Sequence, residues 1–203
     1  MIKEILELRK KEAEAVLNIP VTDQFEKAVN IIHEKVHGKG GKLVTSGMGK
    51  AGQIAINMAT TFSSTGTPAI YLHPSDAQHG DLGVIQKNDA LLLISNSGKT
   101  REIVELIFLA KRLIPEIPII VITSNPQSKV AEAADALLET GNPKEVCILE
   151  LTPTTSTTTM TVIGDMLVVM LMKKIGFTSK DYSLRHHGGY LGEKSRNDAG
   201  KEK

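Results

Sequence analysis

The chain has 203 residues, 41% of them hydrophobic and 23% charged, and its 24 basic and 23 acidic side chains leave a net charge of +1. That balance suits one domain with a sizeable core and gives no electrostatic reason to expect nucleic acid or an anionic membrane as partner. Aromatic residues, at 3% with no Trp, also leave few platforms on which bases could stack.

The first segment, Met1–Leu17, is charged and amphipathic, with Ile2, Ile5, Leu6, Ala13, Val16 and Leu17 at helical spacing. It lacks the apolar core of a signal peptide, and the single cysteine, Cys147, has no intrachain partner, so a cytoplasmic address is expected. Pro20 breaks the chain. A second helix is expected from near Thr22 and Asp23, with Phe25, Ala28, Val29, Ile32 and Val36 on one face. Asp23 and Glu26 have capping-box spacing, and Gly38-Lys39-Gly40-Gly41 ends the helix.

Short apolar strands follow at Leu43–Thr45, Ala69–Leu72, Ala90–Ile94 and Ile119–Ile122, with a weaker fifth at Val146–Leu149. Helical stretches lie between and after them, at Ala51–Phe62, Glu102–Leu113, Lys129–Ala134 and Thr157–Ile175. Continuous rather than alternating strands indicate a parallel sheet covered on both faces, hence an α/β fold built as a three-layer αβα sandwich. The most apolar run, Val162–Met172, falls short of the roughly 20 residues that span a bilayer and reads as a buried helix. The expected organisation is N-terminal helices over 1–40, one domain over 41–192 and a flexible tail over 193–203.

Three motifs mislead. Gly47-Met48-Gly49-Lys50-Ala51-Gly52 spells the dinucleotide fingerprint, but the acid required about 20 residues on is replaced by Tyr71-Leu72-His73. Ser97-Gly98-Lys99-Thr100 resembles the end of a Walker A loop, yet Leu93 stands where the first glycine belongs. His33-Glu34-Lys35-Val36-His37 puts two imidazoles on one helical face, but Gly38 ends the helix at once and no third ligand follows.

The segment that carries chemistry is Ser95-Asn96-Ser97-Gly98-Lys99-Thr100, between a strand and a helix. Three hydroxyls and the free N–H groups of a helix start make an anion site, and N-capping alone would use only one of them. Lys50 follows the glycine turn at the same edge, and His79 and His186 lie in glycine-rich, non-periodic segments. Glu102 opens the next helix, and Glu145 sits in a polar stretch before the weak fifth strand. The polar turn Thr123–Ser128 reads as turn chemistry.

Together these segments resemble the sugar isomerase (SIS) family, and within it the D-arabinose-5-phosphate isomerases. The matching strings run in order from Ser46-Gly47-Met48-Gly49-Lys50 and Ser63-Ser64-Thr65-Gly66-Thr67-Pro68 through His79-Gly80-Asp81 and Ser95-Asn96-Ser97-Gly98. Pro153-Thr154-Thr155-Ser156-Thr157-Thr158, Gly164-Asp165 and His186 with Gly188-Gly189 complete them. The resemblance implies a five-stranded parallel sheet, a sugar phosphate as small-molecule partner, no cofactor or metal, and sites completed between subunits of a homo-oligomer, usually a tetramer. It carries Lys50, His79, Glu102, Glu145 and His186 onto catalytic positions, and Ser46, Gly47, Ser95, Asn96, Ser97 and Thr100 onto substrate and phosphate contacts. The sequence departs from the family at His187, where relatives typically carry Pro, and at Lys99, where many carry an acid, and the regulatory CBS domains of many relatives are not expected here.

The implied reaction is aldose–ketose interconversion of D-ribulose 5-phosphate and D-arabinose 5-phosphate through an enediol, supplying Kdo for lipopolysaccharide or capsule. A glutamate, Glu145 or Glu102, would move the proton, with Lys50 near the enediolate or phosphate and a histidine shuttling protons among the oxygens. The alternatives are isomerisation of a hexulose or heptulose phosphate, and a non-catalytic sugar-phosphate sensor. The sensor would need a DNA-binding domain, and the two helices before the first strand show no basic recognition face.

Overall fold

The computed structural model describes residues 1–200. Five parallel strands, β1 (Leu43–Gly47), β2 (Ala69–Tyr71), β3 (Ala90–Ile94), β4 (Ile119–Thr123) and β5 (Ala136–Glu139), form one sheet in the order β2-β1-β3-β4-β5. Successive side chains leave a strand on opposite faces. Leu43, Leu92, Ile94, Ile120, Ile122 and Leu138 accordingly pack into one core with helices α2 (Asp23–Ile32), α3 (Lys50–Ser64) and α6 (Thr155–Ile175). Val44, Leu91, Leu93, Ile119 and Val121 pack into a second core with α4 (Arg101–Leu113) and α5 (Lys129–Glu132). Both faces need apolar side chains, which is why the strands read as unbroken apolar runs. The expected three-layer αβα sandwich with a five-stranded parallel sheet is the fold observed.

The fifth strand is not where the sequence pattern puts it. Val146–Leu149 is loop, with Ile148 fully exposed and Leu149 largely so. The strand is Ala136-Leu137-Leu138-Glu139, paired with β4 from Ile120↔Ala136 to Thr123↔Glu139. It holds no β-branched residue, so its own propensity conceals it, and pairing with β4 decides its conformation. On its outer side the Leu137 N–H donates to the side chain of Gln24.

Helix α1 (Ile2–Leu17) lies outermost and has no buried residue, and its Ile2 and Ile5 are mostly exposed. Helix α2 buries Phe25, Ala28, Val29 and Ile32 as its spacing predicts, but its N-cap is Thr22, which accepts from the Gln24 N–H, rather than Asp23. Past Ile32 the helix widens into a π-turn over His33–Gly38. There His33 and His37 stack at 5.8 Å and His37 bonds Thr67, and no metal-binding cluster occurs among the described residues. Helix α6 has the length and apolarity to match a bilayer, but half of its most apolar 18-residue window is buried in the fold, as a core helix requires. Two helices end the described chain, α7 (Ser179–Ser183) and α8 (Gly189–Ala199), so most of the segment expected as a flexible tail is helical. Residues 201–203 lie outside the described residues.

At the amino edge of the sheet one carboxylate aligns the strands that matter most for the site. Asp89, 1% exposed, accepts from the Lys42 N–H, the Lys42 ammonium and the Gln86 N–H at 2.6–2.9 Å. Asp89→Asn removes the charge and one acceptor, and is expected to cost about 1–3 kcal/mol of stability. Urea unfolding should show a lower midpoint with an unchanged slope.

Candidate active site

From β1 the chain turns one way to β2, while β3 lies on the other side of β1. In open parallel sheets such a reversal opens a crevice beyond the carboxyl ends of the strands. Gly47 and Ile94 form the last rung between β1 and β3, so the segments Met48–Lys50 and Ser95–Thr100 leave the sheet side by side.

The first of these is a tight turn. A Cβ on Gly47 would lie 2.7 Å from the Ala51 carbonyl, and the Tyr71 hydroxyl donates to the Gly47 carbonyl at 2.9 Å. Gly47 and Gly52 of the apparent dinucleotide motif therefore serve helix–strand packing, Gly49 supplies the positive φ of the turn, and Tyr71 fills the place of the missing acid. Lys50 becomes the first residue of α3, exposed at the edge. Ser46 is fully buried, and its hydroxyl donates to the Leu72 carbonyl.

The second segment is braced from below. Gly98 has φ +62°, and any Cβ there would collide with the Ser128 side chain. Thr123 and Ser124 donate their hydroxyls to the Asn96 carbonyl, and the Asn125 amide donates to the Ser97 carbonyl. The turn Thr123–Ser128 is thus the support on which the serine loop rests, a role beyond the local turn chemistry read from sequence. The three hydroxyls do not converge freely as expected. Ser95, 2% exposed, pairs with Thr100 at 2.9 Å, while Ser97 is exposed and accepts only from the Lys99 N–H. Asn96 is exposed beside it, and α4 starts directly after this loop with no side-chain cap for its first N–H groups. One outward hydroxyl and a helix start are the groups that an anion could meet here.

Glu102, half-buried, lies in the first turn of α4. His79 ends a 3-10 turn, Asp76–His79, that follows β2 and is fixed to α4 where Gln78 donates to Glu105 at 2.7 Å. Glu145 lies on the long loop after β5. Its Oε2 accepts from the Thr154 N–H at 2.7 Å, the Thr154 hydroxyl at 2.9 Å and the Ser156 N–H at 3.3 Å, at the start of α6. Burial pushes this carboxyl up, but hydrogen bonds from Ser156 and Thr154 together outweigh it and hold it below the ordinary glutamate value. Glu145 is therefore ionised, with Oε1 free of these bonds.

His186 stands apart. It stacks on Tyr182 at 3.7 Å and bonds the Tyr182 carbonyl, beside Phe177. Phe177 in turn packs over Gly66, which precedes β2 at the amino edge of the sheet. Helix α6, 21 residues or about 30 Å long, separates this cluster from Glu145. Lys50, His79, Glu102, Glu145 and the serine loop share the carboxyl edge; His186 of the same chain does not.

This fold has counterparts. The SIS domain model matches residues 38–170, and the chain belongs to the SIS family. It is 46% identical over 192 residues to the arabinose 5-phosphate isomerase of Salmonella typhi, an alignment covering 95% of this chain and 56% of that protein. It thus spans just over half the length of such curated relatives. A Bacteroides fragilis crystal structure, proposed to be a phosphosugar isomerase involved in capsule formation, matches with 67% identity and TM-score 0.92, covering 94% of this chain and 99% of that one. An Escherichia coli CFT073 protein in complex with arabinose 5-phosphate matches with 34% identity and TM-score 0.84, covering 91% and 96% respectively.

The ionised cap on α6 has a pH signature. A carboxylate whose folded pKa is depressed stabilises the fold above its unfolded value and loses that contribution as pH falls through the folded value. In thermal melts, Glu145→Gln should therefore be less stable than the unaltered chain above about pH 4.5. The gap should close at lower pH; a gap independent of pH would contradict the ionised cap.

Proposed function

We propose that this chain is an aldose–ketose isomerase interconverting D-ribulose 5-phosphate and D-arabinose 5-phosphate through an enediol. The observation that carries the reading is that the loop bearing the hydrogen-bonded Glu145 carboxylate and the serine loop before α4 both follow the carboxyl ends of strands in one sheet. The relatives support the same chemistry: one is an arabinose 5-phosphate isomerase, and another was crystallised with arabinose 5-phosphate.

In this reading the phosphate meets Ser97, Asn96 and the first N–H groups of α4, which position the sugar at a distance from the reacting carbons. Glu145 or Glu102 takes the C1 proton of the ketose and returns it to C2. Lys50 steadies the negative charge that grows on the enediolate oxygen, and His79 moves protons among the oxygens. His186 reaches this edge only from a second copy of the chain, so the working form is a homo-oligomer, a tetramer by the family pattern. A groove of about 830 Å³ between α2 and α6, lined by Val21, Val169 and Met170, supplies an apolar face for such contacts. The product would feed Kdo synthesis for capsule or lipopolysaccharide in the cytoplasm.

Incubation with D-ribulose 5-phosphate in D₂O, followed by NMR, should yield an aldose carrying deuterium at C2. No exchange and no new aldose would refute the isomerase reading. At least one of Glu102→Gln and Glu145→Gln should lower kcat by roughly 10²- to 10⁴-fold, and two variants of near-normal rate would remove the carboxylate base.

Ser97→Ala should raise KM roughly tenfold with little change in kcat, because a hydrogen bond to a charged group is lost. An unchanged KM would place the phosphate elsewhere.

A further inference from the structure

Helix α1 is held almost wholly at its surface, yet one of its residues reaches the start of α6. Glu12 Oε1 accepts from the Thr155 hydroxyl at 2.8 Å, across 143 residues of sequence. The same hydroxyl oxygen accepts the Val146 N–H at 3.2 Å. An N–H can only donate, so the hydroxyl proton is left for the Glu12 carboxylate and the direction of the chain is fixed. Thr155 is 1% exposed, and Glu12 Oε2 is buried with no hydrogen-bond partner among the described residues.

The residues on either side of this chain are those of the candidate site. Val146 follows Glu145, and Thr154 and Ser156, which flank Thr155, are the two residues that bind the Glu145 carboxylate. The far end of the same loop also rests on the end of α1, since a Cβ on Gly141 would lie 2.7 Å from the Asn18 carbonyl. The loop that carries Glu145 is thus pinned to α1 at both ends. A carboxylate taken partly out of water in an otherwise surface-held helix is costly unless something offsets it. The positive end of α6 and the Thr155 proton provide that offset.

We infer that Glu12 is a positioning residue for the isomerase: through Thr155 it fixes the backbone at Val146 and so the carboxylate of Glu145. The inference rests on Glu145 acting on the substrate, as proposed above. A role confined to packing α1 would change thermal stability and leave the turnover rate alone. A positioning role changes kcat while KM, set by the phosphate loop on other elements, stays put.

The test is steady-state isomerisation of D-ribulose 5-phosphate by the full chain, with a thermal melt of each variant. Glu12→Ala should lower kcat roughly ten- to a hundredfold with KM within about twofold, because a misplacement of the order of 1 Å has that effect on a reacting group. Glu12→Gln keeps an acceptor for the Thr155 proton and should recover most of the rate. Thr155→Val removes both bonds and should lower kcat as Glu12→Ala does, whereas Thr155→Ser should not. Adding Glu12→Ala to Thr155→Val should have no further effect, since the two act on one chain of contacts. If the unaltered chain is active and Glu12→Ala and Thr155→Val keep its kcat, the positioning role is wrong and the isomerase reading stands. If Glu12→Ala does not fold, the two Thr155 variants decide the matter in the same way. An unaltered chain that isomerises nothing overturns the function and this inference together.

Discussion

A sheet buried on both faces has nowhere to put chemistry except its ends. The central strands β1, β3 and β4 bury all of their side chains, and even the serine of β1 is turned inward to bind a neighbouring carbonyl. Polar function is therefore forced into the loops beyond the strands, where backbone groups are free and water can enter. The reversal between β1 and β3 selects which loops, because there two connections part and leave room for a ligand. Lys50, the serine loop and Glu102 all follow from that single topological fact, being the first residues after β1 and β3.

Around that crevice the side chains divide into those that meet solvent and those that hold the former in place. Ser97 and Asn96 are exposed, whereas Ser95, Thr100, Thr123, Ser124 and Ser128 are occupied with one another or with backbone. A loop rich in hydroxyls thus offers few of them outward. Glu145 combines both tasks, with one oxygen bound to the start of α6 and the other free of those bonds. Preorganisation of this kind lets a site present charge without moving at the moment of reaction.

The layers, four strands and the serine loop were legible in the sequence because each is a local pattern: an apolar run, a turn, a helix start. The strand Ala136–Glu139 was not, since its residues prefer other conformations and only β4 beside it makes it extended. Val146–Leu149 attracts the prediction because its side chains look right for a strand, although Ile148 and Leu149 face water. Glu145 is legible through family resemblance rather than spacing, since its partners Thr154 and Ser156, at the start of α6, lie nine and eleven residues away across an irregular loop. Glu12 left no signal at all: its partner is 143 residues distant, and on its own helix it is one charge among many. The distance between His186 and the serine loop was equally invisible, because it depends on the length and direction of α6.

The glutamine at the outer margin of β5 bears on how copies of this chain can meet. An edge strand offers a row of donors and acceptors to any other extended segment, and sheets often grow from one molecule into the next by that route. Here Gln24 supplies from a helix the acceptor that another strand would bring to Leu137. Growth of the sheet through β5 would have to displace that side chain and the helix behind it. Association through helical faces asks for no such rearrangement.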